Sequence, residues 1–157
     1  MSELVSHEMP SICVEAFNGE GLEEKFGRGY LLITTDVNGT PRPCMLSAGE
    51  ILALDAHTLR VALWPHTRTL ENLKRGGRAL LCFIAPHQVL YLRGCPRYLP
   101  FHPGITLERV EIKIDHVEAD KHEGFEILRG PEFTSEPSVR SATIDGWKRT
   151  LEALRAP

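Results

Sequence analysis

Hydrophobic and polar residues alternate along much of the chain with the two-residue period that is typical of half-buried β-strands. The clearest alternation runs from Val110 to Asp115, where valine and isoleucine alternate with charged residues. Runs rich in aliphatic, aromatic and β-branched residues predict five further strands, at 30–35, 41–48, 59–64, 79–85 and 89–99. Six strands with few helices favour a small antiparallel barrel, because closing a sheet removes its unpaired edges.

Turn signals join these strands into hairpins. Asn38-Gly39 lies between the first two strands and is a strong hairpin signal, because both residues adopt positive φ readily. Pro86-His87 supplies the predicted turn between the fourth and fifth strands. The second strand, 41–48, contains two prolines that lack a backbone N–H, so it is expected at an edge of the sheet or to begin at these residues.

Helical patterns are confined to three segments. A first helix is predicted over 11–17, followed by a glycine-rich loop over 19–29. A second helix is predicted over 67–75, where Gly76-Gly77 supplies the stop signal. The spacing i, i+4, i+7 predicts a third helix near the end of the sequence, from Trp147, Leu151 and Leu154.

Two of the predicted strands are apolar on both faces. These segments are Leu31–Ile33 and Leu80–Ile84. In a barrel only one face of a strand points to the interior, so the other face must be covered by helices or by a second subunit. The pattern therefore predicts a homodimer.

Composition and charge narrow the function classes. The chain has 157 residues, 42% of them hydrophobic and 25% charged, so one domain over 1–157 is expected. The formal net charge of −3 gives no general attraction to nucleic acids or anionic membranes, and neither is predicted as a partner. No apolar run is long enough to span a membrane, and the first residues lack the pattern of a signal peptide. Four widely spaced cysteines are interpreted as reduced thiols in a cytoplasmic protein.

One turn carries candidate binding chemistry. The strand at 59–64 runs through His66-Thr67-Arg68-Thr69 into the second helix. Two hydroxyls, a guanidinium and the free amides of a helix N-terminus together suit an anion such as phosphate. The alternative is that Thr67 is only the helix N-cap and Arg68 only a solvated side chain. Seven histidines show no metal-ligand spacing, so no metal site is predicted, and no catalytic acid or base is assigned.

The segment 29–94 resembles the FMN-binding split-barrel family typified by pyridoxamine 5'-phosphate oxidase. The resemblance rests on the turn Asn38-Gly39-Thr40-Pro41, on Thr67-Arg68-Thr69 at the place of that family's phosphate motif, and on Asn72-Leu73 in the helix that follows. Arg78 then leads into the next apolar strand. The resemblance implies a mainly β fold, a six-stranded antiparallel split barrel with short flanking helices, assembled as a homodimer.

The resemblance also implies an FMN site in a cleft between two subunits. The strand after the hairpin would lie along the flavin, and the phosphate motif would bind the 5'-phosphate, with Arg68 forming charge-assisted hydrogen bonds. Gln88 would approach the flavin from the neighbouring subunit. The cofactor-binding residues implied in this way are Cys44, Met45, Leu46, Ser47, Leu63, Thr67, Arg68, Thr69 and Gln88.

Three departures from the family pattern bear on the cofactor. The cofactor strand of the oxidase begins with an arginine and ends with a lysine, where this chain has Cys44 and Gly49, and the lysine of the phosphate motif is Thr69. FMN is therefore the first expectation, with a deazaflavin or no cofactor as alternatives. The Arg-x-His that binds substrate in the oxidase has no clear counterpart, so true pyridoxamine phosphate oxidase activity is not expected.

The function implied by the resemblance is an FMN-dependent oxidoreductase that acts on a small-molecule electron donor or substrate. A bound flavin carries the hydride chemistry, so the absence of an evident acid or base does not exclude this activity. Two alternatives stay open: a flavin-binding or deazaflavin-binding protein without turnover, and a cofactor-free interaction domain of the same fold.

Overall fold

Eight strands and four helices make up the computed structural model, which describes residues 1–157. The strands are β1 (Ser2–Ser6), β2 (Gly29–Thr35), β3 (Pro41–Ser47), β4 (Ile51–Ala53), β5 (Thr58–Leu63), β6 (Ala79–Ala85), β7 (Gln88–Tyr98) and β8 (Glu108–Asp120). The helices are α1 (Ser11–Ala16), α2 (Leu22–Lys25), α3 (Arg68–Lys74) and α4 (Pro137–Arg155). None of these helices is both long enough and apolar enough to cross a membrane.

All eight strands belong to one curled antiparallel sheet. The order is β3-β2-β6-β7-β8-β5-β4, and β1 pairs with the second half of β8. The two end strands, β3 and β4, do not pair with each other, so the curl is an open half-barrel rather than a closed cylinder. The mainly β, antiparallel split-barrel prediction is confirmed.

The predicted number of six strands is wrong, because the sheet also contains β1 and β4. β4 has only three residues, too few to display alternation, and β1 is a mostly exposed polar strand held by its pairing with β8. β8 is also longer than the predicted 110–115, since its first half pairs with β5 and its second half with β1. The prediction that the proline-containing strand lies at an edge is confirmed, because β3 pairs only with β2.

The interior of the half-barrel is a single apolar cluster. Phe17, just after α1, packs edge-on against Tyr30 of β2 at a ring-centroid distance of 4.8 Å. Leu70 and Leu73 of α3 point into the same cluster and are almost fully buried. The first turn of α3 is thereby fixed relative to the sheet, which matters for the site described below.

A second, smaller cluster lies beneath α4. Trp147, Leu151 and Leu154 are buried on one face of this helix, as their spacing predicts, against Leu52 of β4 and Ala62 of β5. The helix begins earlier than the spacing alone indicates, with Pro137 in its first turn, a position where proline costs no hydrogen bond. The segment 19–29, expected from its glycines to be a loop, contains α2, which has only four residues and no side-chain cap.

Two buried arginines bind the end of α4. Arg60 of β5 donates to the carbonyl of Leu154 at 2.9 Å, and Arg109 of β8 donates to the carbonyl of Ala153 at 2.8 Å. Glu111 is also buried and accepts from Arg60 Nε at 3.0 Å. These bonds satisfy carbonyls that a helix C-terminus leaves without intrahelical partners.

Candidate functional site

A pocket of about 180 Å³ lies where β3, the end of β5 and the first turn of α3 meet. Six of the nine residues implied by the resemblance line it: Cys44, Met45, Leu46, Leu63, Thr67 and Thr69. They come from three separate segments of the chain, so the fold brings them together. Glu50, Ala62 and Trp64 complete the lining and were not predicted.

Two of the three unpredicted lining residues, Trp64 and Glu50, had a partial signal in the sequence. Trp64 directly follows Leu63 and precedes the candidate phosphate turn, and its side chain is 63% exposed. Glu50 follows the strand that was expected to contact the cofactor. Nothing in the sequence identified Ala62 as a pocket residue, because a small residue in a buried strand is usually part of the hydrophobic core.

The other three implied residues lie outside the pocket. The amide and the hydroxyl of Ser47 both donate to Glu50 Oε2 at 2.7 Å, so Ser47 orients a lining carboxylate without lining the pocket itself. Gln88 is exposed at the β6–β7 hairpin, where it pairs with Ala85. The Arg68 side chain is 76% exposed and lines a neighbouring groove with Asp36.

The first turn of α3 is capped by Thr67. Its backbone is extended, and its hydroxyl accepts from the Leu70 amide at 3.3 Å and donates to the Trp64 carbonyl at 3.0 Å. The amides of Arg68 and Thr69 have no acceptor within the chain. Thr67 is therefore an N-cap, and the N–H groups of Arg68 and Thr69 remain without an acceptor at the helix N-terminus.

Arg68 lies near Asp36, whose carboxylate already has other hydrogen-bond partners. This carboxylate accepts two short hydrogen bonds from Arg42, at 2.9 and 2.7 Å, and one from Asn72 at 2.8 Å. Hydrogen bonds from Arg42 and Asn72 hold the pKa of Asp36 well below its usual range. Because Asp36 is already satisfied, Arg68 Nη1 at 4.0 Å forms only a loose surface pair and is not fixed there.

Cys44 lies on the pocket wall as a neutral thiol. Burial raises its pKa, and a hydrogen bond with the Thr69 hydroxyl lowers it by less. The raised pKa keeps the thiol protonated at neutral pH, and only a thiolate is an effective nucleophile. All four cysteines of the chain are free.

Gly49 lies in the turn between β3 and β4, where the structure leaves no room for a lysine side chain. A Cβ atom on Gly49 would lie 1.8 Å from Cγ of Trp147, so the indole of α4 occupies the space that any side chain would need. Among the residues that line the pocket, Glu50 is the charged one. The packing of α4 therefore explains the absence of a side chain at Gly49.

A comparison with known proteins places the chain in a family. No protein-family model matches it. The uncharacterized protein YclD of Bacillus subtilis (strain 168) is 32% identical over 150 residues, which cover 90% of this chain and 92% of YclD. The chain belongs to the YclD family.

Solved structures assign the fold of this YclD-family protein. A candidate pyridoxamine 5'-phosphate oxidase from Lactobacillus delbrueckii matches with a TM-score of 0.59 and 18% identity, over 74% of this chain and 98% of that one. An FMN-binding protein from Syntrophomonas wolfei matches with a TM-score of 0.53 and 12% identity, over 71% and 88% of the two chains. The predicted pyridoxamine 5'-phosphate oxidase-like fold is thereby confirmed.

Proposed function

We propose that this YclD-family protein binds FMN in the pocket between β3, β5 and α3 and acts as a flavin-dependent oxidoreductase on a small molecule. The observation that carries the proposal is the convergence of the implied residues from three segments on one pocket. The match in fold to an FMN-binding protein supports the same assignment.

The chemistry of the pocket fits one end of a flavin nucleotide. The free amides of Arg68 and Thr69 are donors for a phosphate at the start of α3. Arg68 is held elsewhere only by a loose pair, so its guanidinium is free to turn toward an anion bound at these amides. Leu46 and Leu63 supply apolar walls for a planar ring.

The pocket of one chain is too small to enclose the whole cofactor. Its volume of about 180 Å³ is below the roughly 300–1,000 Å³ of complete ligand sites. We infer that a second copy of the chain completes the site, which agrees with the homodimer predicted from the strands that are apolar on both faces.

The outer face of the sheet supplies a surface for that second copy. Leu31 lies opposite Cys82 of β6 and Met45 of β3, and Ile33 lies opposite Leu80, so these side chains share one face across three strands. Met45 is 55% exposed and also lines the pocket, so this apolar face reaches the edge of the proposed site.

A flavin bound here would supply hydride transfer, and the protein would supply position, hydrogen bonds and exclusion of water. Glu50 is the titratable group in the pocket other than the Cys44 thiol, and Ser47 orients its carboxylate.

The visible spectrum of the purified protein, followed by identification of the cofactor released on denaturation, tests the assignment. Release of FMN supports the proposal. Release of a deazaflavin would change the cofactor that is assigned to the site. A colourless protein that does not bind added FMN would contradict the proposal. Reduction of the bound flavin by NADH or NADPH tests turnover.

Changing Arg68 to alanine is expected to weaken FMN binding by about 1.5–3 kcal/mol, the usual contribution of a hydrogen bond to a charged group. Isothermal titration of the apoprotein with FMN measures this loss. Arg155→Ala is the matched control, because it removes the same charge from an exposed position at the end of α4. Equal FMN affinities for the Arg68 variant and the wild type would exclude the phosphate role of Arg68.

Changing Ile33 to glutamate is expected to dissociate the proposed dimer. An unpaired charge buried in an interface costs several kcal/mol, so the dimer dissociation constant should rise by about 100-fold or more. Sedimentation velocity over a range of protein concentrations measures it. Val37→Glu adds the same charge at an 82% exposed position in the hairpin turn and should leave assembly unchanged. A wild-type protein that is monomeric at every concentration would refute the shared site.

A further inference from the structure

A second, larger groove adjoins the proposed cofactor pocket. Its volume is about 580 Å³, within the range of complete small-molecule sites. It lies between the loop 101–107 and one face of α4, and the Trp64 side chain lines both this groove and the smaller pocket. Whatever occupies the groove therefore shares a wall with the proposed cofactor site.

Two aromatic side chains stand exposed in the groove. Trp64 is 63% exposed and Phe101 is 74% exposed. Large aromatic side chains usually bury most of their area, and paired aromatic rings gain further by offset or edge-to-face contact. The groove thus offers an apolar surface suited to a planar ring.

Polar groups without partners lie on the α4 side of the same groove. Thr150 is 7% exposed, and its hydroxyl, which solvent reaches, forms no hydrogen bond within the chain. Arg149 is exposed and forms no ion pair, whereas the adjacent Lys148 pairs with Asp145 at 3.3 Å. A guanidinium and a hydroxyl on neighbouring residues suit a carboxylate.

Gly146 keeps the helix side of the groove open. It lies in the interior of α4, where glycine costs about 1 kcal/mol relative to alanine. A Cβ at this position would meet only the end of the Arg149 side chain, at 3.9 Å, so packing within the chain does not require glycine here. Gly146, Arg149 and Thr150 are spaced i, i+3, i+4 and share one face of the helix.

We propose that this groove is a binding site for an aromatic carboxylate, with the ring against Trp64 and Phe101 and the carboxylate on Arg149 and Thr150. The site deepens the proposed function by naming a substrate class for it, since it borders the cofactor pocket at Trp64. The recognition itself depends only on the groove, so it can be measured without a flavin.

Isothermal titration of the full-length apoprotein with 2-naphthoate and with its neutral analogue 2-naphthamide tests the site. Wild type should bind the acid at least about tenfold more tightly than the amide. Arg149→Gln should weaken acid binding by about tenfold or more and leave amide binding unchanged, because only the acid forms a charge-assisted bond. Lys148→Gln, the matched control, should bind both compounds as the wild type does.

Two further variants separate binding from folding. Thr150→Val keeps the shape of the side chain, removes the hydroxyl, and should weaken acid binding several-fold. Gly146→Ala should raise the melting temperature while weakening the binding of both probes. Equal binding of acid and amide by the wild type, or an Arg149 variant that keeps the preference for the acid, overturns the proposal. Titration of the wild type with FMN tells the two proposals apart. A wild type that binds naphthoate but not FMN would refute only the cofactor assignment.

Discussion

Replacing Glu111 by glutamine should lower the free energy of unfolding by about 3–5 kcal/mol, the usual cost of removing one partner of a buried ion pair. The Glu111 side chain is 5% exposed and that of Arg60 is 9% exposed, and their charged groups are 3.0 Å apart. Arg109 is buried beside them. Without the carboxylate, the buried Arg60 guanidinium would keep only the carbonyls of Leu154 and Ala156 at the end of α4 as partners. Urea denaturation at pH 7 measures the difference.

The pH dependence of that difference follows from the pKa of Glu111. Burial raises this pKa, but hydrogen bonds from Arg97 and Arg60 outweigh the effect and leave it below the ordinary value. A carboxyl whose pKa is lowered on folding stabilises the folded state above its unfolded-state pKa, about 4.3, and loses this contribution as the pH falls through the folded-state pKa. The difference in the free energy of unfolding between the wild type and the Glu111 variant should therefore have its full value at pH 7. It should become smaller as the pH falls into the acid range.

Arg97→Gln is the control for the same experiment. Arg97 also pairs with Glu111, at 2.9 Å, but its side chain is 64% exposed. An exposed ion-pair partner contributes at most about 1 kcal/mol to the free energy of unfolding, so this variant should be nearly as stable as the wild type. If the Arg97 variant lost as much stability as the Glu111 variant, burial would not be the source of the effect.

Replacing Trp147 by alanine should also cost about 3–5 kcal/mol, because it empties a large buried site under α4. Gly49→Ala should cost about 1–3 kcal/mol by overpacking, since the new Cβ would collide with the indole. In the Trp147→Ala background the same glycine change meets no indole, so its cost should vanish. Chemical denaturation of the four proteins gives the coupling energy.

A coupling energy of at least about 1 kcal/mol between Gly49 and Trp147 is expected, as is usual for residues in direct contact. If Gly49→Ala cost the same with and without Trp147, the backbone at residue 49 would require glycine for its own conformation. The contact with α4 would then not explain why a side chain is absent there.

Long segments with clear periodicity could be predicted from the sequence. The predicted strand 79–85 coincides with β6, and the i, i+4, i+7 spacing located the buried face of α4. Short elements could not be predicted, because the three residues of β4 and the four of α2 contain fewer than two full periods of the strand or helix pattern, too few to show a repeat.

The residues of the candidate site that meet because their strands and helix meet could be predicted from the sequence. The features that depend on contacts with residues far along the chain could not. Cys44, Leu63 and Thr69 meet in one pocket because β3, β5 and α3 do. Asp36 does not fix Arg68, because Arg42 already satisfies the charge of that carboxylate, and such networks leave no local signal in the sequence. The indole over Gly49 comes from a helix far along the chain.

The prolines of β3 have a consequence for self-association. Pro41 and Pro43 fall on alternate positions of an edge strand that pairs on one side only. Alternate residues of a strand direct their N–H groups to the same side, so the solvent-facing margin of β3 lacks two successive donors. An intruding strand from another molecule would find no ladder to join there, and fibril-like growth from this margin is disfavoured.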